Sequence, residues 1–101
     1  MVELNRNERY AFGGTTSEII SQAKNTNGRR SSILLINKSP AGQNITISVG
    51  QPADVDNAGV PLAVGGYWGD DEQTGVLPTQ EIIFGKADAA GAILSIQERV
   101  R

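Results

Sequence analysis

The sequence predicts an all-β fold, a single-domain β-sandwich or open β-barrel of about six or seven short strands. Three observations predict it. Asn44-Ile45-Thr46-Ile47-Ser48-Val49 alternates polar and apolar, and a strand turns successive side chains to opposite faces. Twelve Gly and four Pro punctuate apolar stretches that are short and rich in Ile and Val. Helical periodicity is rarely sustained.

Taken in order, residues 1–9 are polar and charged and read as an extended arm reaching to residue 12, ahead of a sandwich domain over residues 13–101. Gly13-Gly14 breaks the chain, and Thr16 to Ile20 is read as a strand in preference to a helical turn capped by Ser17. Lys24 to Gly28 is a turn, in which Asn27-Gly28 signals a tight hairpin reversal. The centre of the chain is Arg30 to Gly50, expected as a hairpin. Its first arm, Ile33-Leu34-Leu35-Ile36, is apolar on both faces and suits a strand covered on both sides. Its second arm puts Ile45, Ile47 and Val49 on one face. The connector Asn37 to Gln43 holds Pro40 and Gly42, both turn formers.

Asp54 to Gly59 has the look of a calcium loop, but Ala58 stands where a ligand is needed and Gly65 where the closing Glu belongs, so a plain Asp/Asn-rich turn is preferred. Val60 to Val64 is a strand that Pro61 confines to a sheet edge. Gly65-Gly66 turns the chain into Tyr67-Trp68, which is read either as a core plug or as an exposed stacking pair. Gly69 to Gly75 is an exposed acidic loop, and Val76 to Pro78 pairs briefly at most. Glu81 to Gly85 is a strand, and Lys86 to Gly91 is a small-residue turn. Ala92 to Glu98 is the last strand, with Ala92, Leu94 and Ile96 on one face, and residues 99–101 form a polar tail.

The chain has 101 residues, enough for one modest core. It has neither His nor Cys. That removes the commonest general base and metal ligand, as well as disulfides and thiolate sites, so neither enzyme activity nor a cofactor or metal is expected. Serines and threonines have no His to activate them, no phosphate loop is present, and Asn44-Ile45-Thr46 fits a glycosylation sequon that is read as strand sequence. A small disulfide-free β domain gains stability by associating with copies of itself or a larger surface. No apolar run reaches membrane-spanning length, and Met1 to Leu4 does not open a signal peptide, so the chain is expected inside the cell at synthesis, without a membrane partner. The net charge of −2 is uneven. Residues 39–85 carry six acids and no base, while the basic residues lie toward the two ends. They are too sparse, and too bare of interleaved aromatics, to suggest nucleic acid as a partner.

One resemblance stands out once the residues are read. A strand ILLINKS (Ile33 to Ser39) and a strand ITISVG (Ile45 to Gly50) are followed, after a loop, by GVPLAVGGYW (Gly59 to Trp68). A variable stretch, a short apolar strand and AAGAILSIQE (Ala89 to Glu98) close the series. Over residues 29–98 this spacing of strands and turns resembles small virion proteins of tailed bacteriophages, of the capsid decoration (cement) or head-fibre type. The resemblance implies a structural protein, made in the host cytoplasm and located on the capsid surface, that bridges major capsid protein subunits as a homo-oligomer, trimer or dimer. It implies capsid contacts at Arg6, Arg9, Tyr10, Tyr67 and Trp68, and contacts between copies at Ile33, Leu34, Leu35 and Ile36. Deleting residues 1–9 is then expected to weaken attachment while leaving the domain folded. The alternatives are a carbohydrate- or receptor-binding module that uses Tyr67 and Trp68 as a stacking platform, and a head–tail connector or tail component.

Overall fold

The computed structural model describes residues 4–24, 29–53, 59–71 and 78–100. Among the described residues are eight strands: β1 (Leu4–Ala11), β2 (Glu18–Ser21), β3 (Arg30–Asn37), β4 (Ile45–Val49), β5 (Val60–Leu62), β6 (Tyr67–Asp71), β7 (Ile83–Ala87) and β8 (Ile93–Val100). They form two four-stranded antiparallel sheets, a β-sandwich of short strands. Sheet A has the order β1-β8-β3-β6 and sheet B the order β2-β7-β4-β5.

Alternation builds the core. On sheet A, Leu94 and Ile96 of β8 and Ile33 and Leu35 of β3 point inward, with Ala92 just before β8 continuing the row. On sheet B they meet Ile20, Ile45, Ile47, Leu62, Ile83 and Ala87, and Phe12 closes the row after β1. Tyr10 and Trp68 pack against this cluster from its margins. Gly85 of β7 is the thin spot: a Cβ there would come within 3.0 Å of Ile20 Cγ1 and Phe12 Cζ, so the missing side chain is the room those two occupy.

Several expectations are corrected. Arg30 to Gly50 is not a hairpin. β3 pairs with β6 and β8, and β4 with β5 and β7, so the connector arches from one sheet to the other. Asn37 explains why: its Nδ2 donates to the carbonyls of Gln43 and Leu62 at 2.9 and 2.8 Å, tying the end of β3 to the arch and to sheet B. The Asn27-Gly28 reversal lies outside the described residues, and the strands flanking it, β2 and β3, belong to different sheets and do not pair. Residues 4–11 are not an arm ahead of the domain, because Leu4–Ala11 is an edge strand of sheet A in unbroken register with β8; residues 1–3 lie outside the described residues. Arg99 and Val100 of the expected tail are strand as well, since β8 runs to Val100. The calcium-like loop and most of the acidic loop lie outside the described residues, whereas Asp70 and Asp71 belong to β6.

Other expectations stand. The strand expected over Thr16 to Ile20 is found at Glu18–Ser21, β5 with Pro61 is at the edge of sheet B, and Ala92, Leu94 and Ile96 share the core face. Gly65 turns the chain between β5 and β6 at φ 85, a conformation costly for any residue with a Cβ. Its amide donates to the Asn37 carbonyl at 2.8 Å.

Candidate interaction face

β3 is clamped by buried polar groups at both ends. At its start, Arg30 is wholly buried, and a register shift against β8 between Arg30 and Ser32 lets its side chain enter the core. Nε donates to Glu98 Oε2 at 2.8 Å, and Nη1 to the carbonyls of Thr79 and Glu81 at 2.7 and 3.1 Å. Nη2 donates to Ser21 Oγ at 2.7 Å and to the Gln22 carbonyl at 3.1 Å. The Ser21 hydroxyl donates in turn to Glu98 Oε2 at 2.6 Å. Burial alone would raise the Glu98 carboxyl above the usual 4.5, but the hydrogen bonds from Ser21 and Arg30 and the Arg30 charge hold it below that value. At the far end of β3, Asn37 Oδ1 accepts from the Ser39 amide at 3.0 Å and the Ser39 hydroxyl at 2.6 Å. With its two donated bonds, this amide side chain is fully satisfied. These clamps fix the backbone of β3 and hence the outward face of sheet A.

Register lays that face out in three rows. Arg9, Ser95, Ile36 and Tyr67 lie side by side, then Asn7, Gln97, Leu34 and Gly69, then Asn5, Arg99, Ser32 and Asp71. Tyr67 is 71% exposed and Leu34 36%. Gly69 provides the dip between them: a Cβ there would come within 3.2 Å of Leu34 Cδ1. A shallow groove of about 640 Å³ runs along the second and third rows and reaches Tyr67. Its outward groups include the amides of Asn5, Asn7 and Gln97, and Gln97 Nε2 donates to Asn7 Oδ1 at 2.7 Å.

Strand parity therefore sorts the residues singled out in the sequence. Arg9, Leu34, Ile36 and Tyr67 share the outer face. Ile33 and Leu35 point into the core at 2% and 0% exposure and are unavailable to another copy. Trp68 faces inward too, opposite Leu35, so Tyr67 and Trp68 are not one platform. Arg6 and Tyr10 are on the inner side of β1. Arg6 Nη1 donates to the Ile20 carbonyl at 2.6 Å and lies 3.8 Å from Glu98 Oε1. Tyr10 donates to Glu18 Oε1 at 2.6 Å, and burial followed by that bond pushes its phenol up to about 12. Both brace sheet A against the edge of sheet B. The amides Asn5, Asn7 and Gln97 went unnoticed in the sequence. Extending the alternation of the first and last strands would have put them on one face.

Among the described residues no three acidic groups gather as a metal site requires. No protein-family model and no curated protein matches this chain.

Proposed function

We propose that this chain is a structural virion protein that decorates a tailed-phage capsid, docking on coat protein through the outer face of sheet A. The observation that carries the reading is the stripe of Leu34, Ile36 and Tyr67, set among Arg9, Arg99 and Asp71 on a sheet braced from behind. An exposed aromatic with aliphatic neighbours and a polar rim is the usual make-up of a protein-binding patch. The resemblance over residues 29–98 supplies the class of partner. On this reading the chain contributes a surface and catalyses nothing.

Co-sedimentation with purified capsids, followed by cryo-EM of the particles, tests it. Tyr67→Ala and Leu34→Asp are expected to weaken attachment by about tenfold or more each, as loss of an interface anchor does. Wild-type protein that stays in the supernatant, or variants that bind as well as wild type, would sink the reading.

A second reading has its own observation. Tyr67 and the amides of Asn5, Asn7 and Gln97 line one groove across sheet A, which suits a neutral carbohydrate that stacks on an aromatic ring and takes hydrogen bonds from planar polar groups. A glycan screen with Tyr67→Ala as control separates the two, since decoration alone predicts no glycan signal.

A further inference from the structure

Three of the four sheet edges are blunted. β5 carries Pro61, β2 has four residues with a register shift, and β6 holds two carboxylates in five residues, one of which, Asp70, accepts the Thr79 amide at 2.8 Å. β1 differs. It runs eight residues against β8 without a shift and contains neither Gly nor Pro. The Phe12 amide donates to the Ala92 carbonyl at 2.9 Å, which sets the alternation back along the strand. The amides of Tyr10, Glu8 and Arg6 face β8, and those of Asn5, Asn7, Arg9 and Ala11 face away from it.

We propose that a second copy of this chain pairs with β1 along that outward edge, antiparallel, about a two-fold axis at Asn7. Sheet A of one copy and sheet A of the other then become a single sheet of eight strands. Charge selects the register. With Asn7 opposite Asn7 of the second copy, Arg6 faces Glu8 of the second copy, and the symmetry repeats the pair. Asn5 then faces Arg9. Sliding two residues one way sets Glu8 against Glu8, and sliding the other way sets Arg6 against Arg6. A slide of one residue mismatches the amides. Only the Asn7-centred register combines hydrogen bonding with opposite charges. Arg6 and Glu8 fall at non-hydrogen-bonded positions, where side chains across a ladder lie closest. Within one copy Arg6 Nη2 already reaches Glu8 Oε2 at 2.6 Å, and both side chains keep a third or more of their surface, at 33% and 45%. Pairing closes these four charges into an alternating square. The edge pairing is independent of what the outer face of sheet A binds.

Sedimentation of the full chain tests it, with an expected mass twice that of one chain and dissociation favoured by salt. The chain has no Cys, so Asn7→Cys introduces a single thiol. Hydrogen-bonded partners lie about 5.5 Å apart at Cα, within disulfide reach, so oxidation should yield a covalent dimer that Thr16→Cys does not give. Glu8→Lys is expected to weaken association by about tenfold or more, since two opposite-charge pairs become like-charge pairs. Asn7→Pro should yield folded monomer, because that amide faces away from β8. A single-chain mass at every concentration overturns the proposal. So does a dimer that resists Glu8→Lys and gives no more cross-linking through Asn7→Cys than through Thr16→Cys.

Discussion

Arg30 has five N–H donors and places all five on acceptors, with no exposed surface left over. Such a group stabilises only while its partners remain. Arg30→Met leaves the buried Glu98 without its hydrogen-bonded cation, with only Arg6 at 3.8 Å, and frees the carbonyls of Thr79, Glu81 and Gln22. The expected loss is about 3–5 kcal/mol, a large share of what a small domain has, read from urea unfolding. Glu98 titrates below its usual 4.5 when folded. Its contribution is therefore complete above that value and fades as pH falls through the depressed folded one. Glu98→Gln should flatten this acid limb in unfolding curves taken from neutral pH downward, and an unchanged limb would assign the acid sensitivity elsewhere. Half of this clamp was legible. The core face of Ala92, Leu94 and Ile96 runs on to Glu98 two residues later, so alternation alone places that carboxylate inside. Arg30 was not legible, because a register shift turns it inward and no sequence pattern announces the shift.

At the scale of elements, β1 shows why an edge is hard to read. Its inward positions are Arg6, Glu8 and Tyr10, opposite Glu98, Ile96 and Leu94. An edge strand's inner side meets the rim of the core, where water still reaches, so polar residues serve there and the apolar signal disappears. The sequence alone suggests that residues 1–9 can be removed with the domain intact. The sheet gives the opposite result: removing them strips most of β1 from β8 and takes Arg6 from the Ile20 carbonyl. Circular dichroism melts should show the cooperative transition lost or moved to markedly lower temperature, and an unchanged melt would show β1 to be dispensable. β3 is apolar on both faces but is not covered on both: Ile33 and Leu35 are core, whereas Leu34 stands exposed on the outer face. Its pairing was misread because Pro40 and Gly42 mark a reversal without saying whether it stays within one sheet. Asn37, whose amide bridges to Leu62, decides that, and a lone Asn at a strand end does not advertise a partner twenty-five residues away.

At the scale of the molecule, β1, β3, β6 and β8 alternate with strands of the other sheet, so six of the seven connections cross the sandwich and only β4 and β5 are neighbours in both chain and sheet. The first strand pairs with the last, Leu4 opposite Val100. Nearly every ladder must therefore close a long loop before it gains anything, which places folding on the millisecond-to-second scale. Trp68, the single tryptophan, packs against the core and reports this directly. Stopped-flow refolding followed by its fluorescence should show a slow phase of that order, and completion within microseconds would contradict the topology. The sandwich class was legible because alternation and turn residues repeat through the chain. The division into two sheets was not, since it depends on contacts between distant residues.

The Leu4–Val100 rung also bears on how the molecule meets mechanical load. Antiparallel pairing brings those two residues together at one corner, so a tether drawing them apart strains a single rung at a time and peels the ladder like a zip. A force directed along the strands would instead shear all eight rungs together. The corner yields first, and the rung at Arg6 and Glu98, two steps in, is where the charged clamp begins to resist the tear.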